Sequence, residues 1–428
     1  MALKIAIIGG GSAYAPGLIR AFLNQPDVFG GAELALMDIA AHELGIIHRL
    51  GQRMAHAAGV DIRITATTDQ REAVTGADYI LTTFRQGGFE ARHQDEAVPL
   101  EFGVIGQETI GPGGFFFAMR TLPVIQRLVE DIKAVAPNAV IVNYTNPTQI
   151  VAEAVTHFGG VPCISICDQS LDDQRKIVSA LDLHPASVEF ESVGLNHATW
   201  STRFLIDGED GVALMNLQTD RVLARPDLSD RLKRQFRLTR EYGRVPNSYL
   251  QYYYYREEVV AEALAEPKTR AQEIMESLPG YFQHYQEQSE AETPHLTHVR
   301  GGSVFGDVAV EVLRSLIVRD HQIHTLNVPN RTALPGFAPD RVVELPARLE
   351  ARDATPLVQP ALPHEVMGLL AMLAEYQWLA ADAIWNGDRR ALERALASNP
   401  LVVSLSQARR LLDTIIPLQS AYLPERWH

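Results

Sequence analysis

The chain has 428 residues, enough to bury a large core as two domains or one long α/β unit. Its 46% hydrophobic and 21% charged residues are ordinary for a soluble globular protein. A formal charge of −14, from 38 basic and 52 acidic residues, excludes broad attachment to nucleic acid or an anionic membrane, so an anionic ligand would need a local cluster of arginines. The two cysteines, Cys163 and Cys167, are too few for a disulfide framework and fit a reducing cytoplasm. Met1 to Lys4 run into a strand without the regions of a signal peptide, and no apolar run nears the ~18–20 residues of a membrane span. The expectation is a soluble, cytoplasmic protein.

Leu3 to Ile8 is a continuous apolar run, the pattern of a parallel strand buried on both faces. Gly9-Gly10-Gly11-Ser12-Ala13-Tyr14 follows, then a helical GLIRAFL from Gly17. Strand, glycine turn and helix start together form a phosphate cradle, because free N–H groups and the helix dipole point at an anion. Tyr14 stands where a third glycine is usual, a position that serves packing more than phosphate contact. Gly9, Gly11, Ser12 and Ala13 are thus candidate cofactor contacts. A second strand, Glu33 to Met37, ends in Asp38, placed to accept from an adenosine ribose and to repel a 2′-phosphate; NAD is expected over NADP. A generic nucleotide or sugar-phosphate fold is the other reading.

Further strands are expected at Asp61–Thr65, Asp78–Phe84 and Ala139–Asn143, with a helix over Thr121–Val135. This alternation means a doubly wound sheet with ligands at the carboxyl ends of its strands. After Phe84, the glycine-rich stretches Arg85–Arg92 and Gly106–Gly114 suggest an active-site loop, where Arg85 or Arg92 either clamps an anion or is a solvated surface charge. Asn146, before Pro147, either offers its amide to a sugar hydroxyl or is a turn residue.

The chemistry converges between Ile164 and His197. One β-like run ends in Cys167-Asp168 and another in Asn196-His197. A thiolate and an imidazole together suit borderline transition ions, and parallel strands would deliver both to one sheet edge. Taken singly, the cysteine reads as a small buried hydrophobe and the histidine as a hydrogen-bonded structural residue. From about Gly194 strands become scarcer and helices longer, as over Asp230–Glu241 and Glu365–Ile384. Five tyrosines crowd the seven positions from Tyr249 to Tyr255, mostly as packing residues, with one available as a proton carrier. Arg300-Gly301-Gly302-Ser303 is another glycine-marked turn before a helix.

Several long segments carry a resemblance across nearly the whole chain: IIGGGSAY, GGFEAR, GVIGQETIGPGG, NYTNPTQ, Cys167 with GLNH, PNSYLQYYY, RGGS and NPLVVSLSQARRLLD. With these the sequence resembles glycoside hydrolase family 4, the nicotinamide- and metal-dependent glycosidases. The resemblance implies an N-terminal Rossmann-like domain, residues 1–193, and an α+β domain of the lactate/malate dehydrogenase type, residues 194–428. It also implies a tightly held NAD, Mn2+ or a similar ion (Co2+, Ni2+ or Fe2+), a glycoside substrate with or without a 6-phosphate, and homodimers or homotetramers. Carried over by position, Cys167 and His197 match the metal ligands and Asp168 the general acid of part of the family. Tyr249 is the first choice for the base, with Tyr242 and Tyr252 as fallbacks. Arg92 matches a sugar 6-phosphate contact, and Asn146 and Asn196 are substrate-side amides.

The implied route is a redox-assisted elimination rather than a pair of carboxylates across the bond. Oxidation at the sugar C3 acidifies the C2 proton, a tyrosinate removes it, the C1 substituent leaves, water adds, and C3 is reduced again. A positioned base alone gives roughly 10²–10⁴, short of the ~10⁶ or more that enzymes supply, so oxidation must come first. The sequence departs from one branch or another: Asp168 points to the α-glycosidase type, GLNH and PNSYLQYYY to the phospho-glucosidase branch, and Asp172 and Asp173 would oppose a nearby phosphate. Two other functions share the fold. A 2-hydroxy-acid dehydrogenase would have no use for a Cys–His metal site, and a non-catalytic NAD or sugar sensor would not need the tyrosine cluster.

Overall fold

Strand β1, Lys4–Ile8, lies at the centre of the first half, its Ile5, Ala6 and Ile7 fully buried. The structure is a computed structural model that describes residues 3–183, 188–301 and 304–428. Met1 and Ala2, before the first strand, and Gly302 and Ser303 of the glycine-marked turn lie outside the described residues. β2 (Glu33–Met37), β3 (Arg63–Thr67), β4 (Tyr79–Thr82), β5 (Val140–Asn143) and β6 (Cys163–Ser165) join β1 in parallel, in the order β3-β2-β1-β4-β5-β6. This is the doubly wound dinucleotide-binding order, whose switch point lies between β1 and β4.

The sheet continues past β6. β7 (Val188–Leu195), β8 (Ala198–Ile206), β9 (Glu209–Asp210), β10 (Ile323–Pro329), β11 (Val342–Leu349) and β12 (Ala354–Pro356) add antiparallel pairings, in the path β6-β10-β11-β7-β8-β9 with β12 on β11. The expectation that parallel strands present both Cys167 and His197 is therefore corrected for His197. Cys167 follows the parallel β6, whereas Asn196-His197 form the two-residue tip of the β7–β8 hairpin, with Leu195 paired to Ala198 and His197 at φ +62°. Such tight tips require a positive φ that matches the strand twist, and the apolar run of Val193 to Leu195 conceals it.

The glycine-rich stretches are also more regular than the loop they suggest. A helix spans Gly88–Glu101, started by Gly87 at φ +83°, and another spans Gly111–Val135 with Pro112 in its first turn. Pro is tolerated there because its missing N–H would have no intrahelical partner. The first helix escapes periodicity analysis because its buried face is partly polar: Arg92, Asp95 and Glu96 are all buried. Arg120 holds Asp95 through two bonds of 2.8 and 2.6 Å, so the buried charge is paired. In the second half, helices at Asp230–Tyr242, capped by Ser229, and His364–Asn386 lie close to the expected spans. Among the described residues no helix is long and apolar enough to cross a membrane.

Candidate active site

A cavity of about 930 Å³ opens at the carboxyl ends of the parallel strands. Gly9, Gly11, Ser12, Ala13, Asp38, Arg92, Asn146, Cys167, Asp168, His197 and Tyr249 all line it, although they come from segments up to 240 positions apart.

One wall is the turn after β1. The N–H groups of Gly9 and Gly10 both donate to the Met37 carbonyl at 2.8 Å, which ties the turn to the end of β2. A Cβ at Gly9, where φ is +100°, would lie 2.6 Å from the Thr83 oxygen, and one at Gly11 would lie 2.9 Å from Asp38 Cβ. Only glycine allows this approach. Asp38 accepts from Gly11 N at 3.0 Å and Ala40 N at 3.1 Å, which aims its carboxylate along the cavity edge. Ser12 Oγ is buried without a protein hydrogen bond. A glycine turn open to close approach, an unsatisfied hydroxyl and an oriented carboxylate fit a dinucleotide's phosphates and ribose, although the N–H groups of Gly9, Gly10 and Gly11, expected to be free, are taken by Met37 and Asp38.

The opposite wall carries the metal candidates. Cys167 Sγ and His197 Nε2 are 3.5 Å apart. Two donors at the ~2.3 and ~2.1 Å bond lengths of a tetrahedral ion would be about 3.6 Å apart, so the pair fits a shared cation. Among the described residues no third His, Cys, Asp or Glu completes a cage, which leaves positions for ligand oxygens, the mark of a catalytic site. Burial pushes the His197 imidazole down to about 3, with the nearby Arg231 adding to the effect, so it stays neutral. Burial, with Glu344 and Asp168 nearby, pushes the Cys167 thiol well up. Cys163 is partly buried against the core, and desolvation pushes its thiol up to about 12.

Tyr249 stacks on His197, ring centroids 4.0 Å apart and planes 15° from parallel. Arg231, from the Asp230–Tyr242 helix, lies over that ring, its guanidinium carbon 4.1 Å from the centroid. Burial raises the Tyr249 hydroxyl above the ordinary range and Arg231 opposes the rise. Tyr242 packs instead on Trp200 and Tyr254, and Tyr252 reaches Tyr249 only ring to ring, 5.7 Å between centroids. Asp168 precedes the Gln169–Ala180 helix and does not cap it; burial raises its carboxyl above the usual range, and Tyr144 stands beside it. Asn146 accepts from Thr148 N and Oγ1 through its amide oxygen, which leaves its NH2 for a ligand.

Asn196 sits elsewhere. It is outside the lining of the large cavity; its Nδ2 donates to Glu344 at 2.8 Å, and its amide hydrogen-bonds the Cys167 thiol from behind. Arg92 is held by Glu96 at 2.7 Å and Glu108 at 3.1 Å. Asp172 pairs with Lys176 at 2.5 Å, and buried Asp173 accepts from Ser248 N and Gln169, so neither acid lines the cavity.

Sequence reasoning assigned no role to Glu108, Thr109, Tyr144, Arg231 or Arg300. Glu108 takes Arg85 at 2.5 Å as well as Arg92; burial alone would raise its carboxyl, but the two arginines hold it below the usual range. Arg300 and Arg85 flank the Phe89 ring at 5.0 and 5.4 Å, and each has a buried nitrogen without a hydrogen-bond partner, Nε and Nη1 respectively. These residues lie inside motifs that the sequence did display, GVIGQETIGPGG, NYTNPTQ and RGGS, except Arg231, which no motif marks. The arginine cluster that an acidic chain needs around an anion is thus present.

A 6-phospho-alpha-glucosidase from gut microorganisms, solved in complex with NAD and Mn2+, matches with TM-score 0.89 and 25% identity over 99% of this chain and all of that one. A 6-phospho-beta glucosidase from Thermotoga maritima, solved with manganese, NAD+ and glucose-6-phosphate, gives 0.85 and 25% over 98% and 99%. The fold alone is shared with malate dehydrogenase from Plasmodium falciparum, TM-score 0.53 at 13% identity over 90% of this chain and all of that one. In sequence, a probable 6-phospho-beta-glucosidase of Bacillus subtilis is 33% identical over 99% of this chain and 98% of its own length. Residues 4–183 match the model of the family 4 glycosyl hydrolases and residues 192–402 the model of their C-terminal domain. A glycine cradle and a Cys–His pair facing one cavity, in a chain matched from end to end, make this protein a member of glycosyl hydrolase family 4.

Proposed function

We propose that the chain is an NAD- and Mn2+-dependent glycosidase that cleaves 6-phospho-glucosides. The carrying observation is the meeting of Cys167 and His197, 3.5 Å apart, on the cavity that the glycine cradle also lines. Gly9, Gly11, Ser12, Ala13 and Asp38 would hold the dinucleotide, and Cys167 and His197 the cation. Bound there, the nicotinamide supplies reversible redox chemistry at a sugar carbon and the cation supplies Lewis acidity at the neighbouring oxygens.

The remaining work falls to side chains. Tyr249 takes the C2 proton, with Arg231 over its ring favouring the phenolate. Asp168, whose carboxyl burial raises above the usual range, gives a proton to the departing oxygen. Arg300, Arg85 and Arg92 receive the 6-phosphate; the first two have donors to spare, whereas Arg92 is already braced by two carboxylates. Asn146 offers its NH2 to a sugar hydroxyl, and Asn196 acts from behind Cys167 rather than on the sugar.

A division at 193/194, which falls inside β7, would set the dinucleotide half apart from the half that brings His197, Tyr249 and Arg300. A cytoplasmic setting suits two free thiols, one of them a ligand. Homodimers or homotetramers would cover Val403, Leu405 and Leu418, exposed apolar residues in and beside the Leu405–Leu418 helix.

A panel of nitrophenyl α- and β-glucosides, with and without 6-phosphate, assayed with NAD+, Mn2+ and reductant, tests the reading. Turnover of a 6-phospho-glucoside, slowed by deuterium at C2, is expected. No turnover on any member, or stoichiometric NADH from a hydroxy acid without metal, would overturn it.

A further inference from the structure

The tripeptide Gln107-Glu108-Thr109 lies between glycines that press it against its surroundings. A Cβ at Gly106 would fall 1.6 Å from the Glu96 oxygen, one at Gly113 2.4 Å from the Gln107 oxygen, and one at Gly114 2.6 Å from the Thr109 oxygen. No side chain fits at those positions, so the tripeptide is held by backbone packing on both sides. Glu108 pairs with the arginines. Thr109 reaches His197, and Gln107 bonds Thr109.

Their hydrogen bonds leave one consistent assignment of protons. Thr109 N lies 2.6 Å from Gln107 Oε1. A backbone N–H can only donate, so that atom is the amide oxygen and not the nitrogen. Thr109 Oγ1 lies 2.8 Å from the same oxygen and must donate to it, because an amide oxygen only accepts. A hydroxyl has one proton. Toward His197 Nδ1, 3.0 Å away, Thr109 Oγ1 is therefore left to accept, and Nδ1 carries the hydrogen. In the neutral ring the lone pair then belongs to Nε2, the atom that faces Cys167. A hydroxyl alone would accept either tautomer; Gln107 makes the choice.

We infer that Gln107 and Thr109 are positioning residues that lock His197 as its Nδ1–H tautomer and so present Nε2 to the divalent cation. The inference rests on the assignment of Cys167 and His197 as metal ligands. The Nδ1 hydrogen of a metal-binding histidine is commonly fixed by a carbonyl or carboxylate; here a threonine serves, with its own proton held away by a glutamine.

The test uses the full chain with NAD bound, stripped of metal and labelled with ¹⁵N at histidine. Long-range ¹H–¹⁵N correlation, with His197→Ala to assign the ring, reads the tautomer, and equilibrium dialysis reads Mn2+ affinity. Wild type should show a protonated Nδ1 and a bare Nε2. Thr109→Val, and Gln107→Met, which frees the hydroxyl to donate to Nδ1, should lose that pattern and bind Mn2+ about 10–100-fold more weakly. Thr109→Ser keeps the hydroxyl and should stay within about threefold of wild type. NAD affinity should be unchanged in all three, which reports that they fold. Wild-type tautomer and Mn2+ affinity in both Thr109→Val and Gln107→Met would overturn the inference. If instead His197→Ala binds Mn2+ as wild type does, the metal-site assignment itself fails.

Discussion

The two walls of the cavity are built on opposite plans. The dinucleotide wall uses main chain: Gly9, Gly10 and Gly11 make one short turn that an added Cβ would block, its N–H groups tied to the Met37 carbonyl and the Asp38 carboxylate at the end of the next strand. The metal wall uses side chains from distant segments: Cys167 after β6, His197 at a hairpin tip, Tyr249 beside a helix, and Gln107 and Thr109 from a glycine-pinned turn. A main-chain surface tolerates most sequence changes except an added Cβ, whereas a side-chain donor set fails when one atom is exchanged. The two walls should therefore be separable by mutation.

The largest effect expected is that separation. Cys167→Ser removes the soft donor and should take turnover below detection with NAD affinity unchanged; unaltered turnover with Mn2+ would exclude Cys167 from the metal site. Gly11→Ala should do the reverse. Its methyl would lie 2.9 Å from Asp38 Cβ and break the Gly11–Asp38 bond, weakening NAD roughly tenfold while Mn2+ binding persists. Equal loss of both ligands in either variant would mean that the walls are one cooperative unit.

Within the metal wall, Asp168→Asn should lower turnover of alkyl 6-phospho-glucosides by about 10²–10⁴. Nitrophenyl substrates, whose leaving group needs no proton, should be nearly spared. An equal loss on both would deny Asp168 the acid role. Arg300→Ala should raise KM for a 6-phosphorylated substrate by roughly 10–100-fold, the worth of a charged hydrogen bond, and leave the unphosphorylated analogue alone. Arg92→Ala should be less selective because it also strands Glu96 and Glu108. The reverse ranking would move the phosphate toward Arg92.

The same contrast explains what could be read from the sequence. The cradle was legible because its parts are contiguous: apolar Leu3 to Ile8, three glycines, and an acid closing the next strand. Donor type at the ends of β-like runs singles out Cys167 and His197, but their ligand roles, and the choice of Tyr249 among five tyrosines, rest on motif resemblance, since no periodicity joins residues 167, 197 and 249. Asn196, expected on the substrate side, shares a hairpin tip with His197, and there its amide turns to Glu344 instead. The Gly88–Glu101 helix was hidden by its polar buried face. Arg231 carried no local signal: it lies on a highly charged helix, and only the fold brings it over Tyr249.

The smallest effect expected is a count of protons. A cation binds thiolate and neutral imidazole, so any proton on either must leave. His197, pushed down to about 3 by burial, carries no extra proton near neutrality and releases none. The Cys167 thiol, pushed up by burial, is protonated there and must release one. Its thiolate fraction rises with pH below its raised pKa, so apparent Mn2+ affinity should climb about tenfold per pH unit between pH 6 and 8. Calorimetry in buffers of different ionisation enthalpy should give one proton released per Mn2+ at pH 7. In Cys167→Ser the count should fall to zero along with the affinity. A release of two would mean that His197 is charged before the metal arrives, and its burial would then not be what keeps the Nε2 lone pair available.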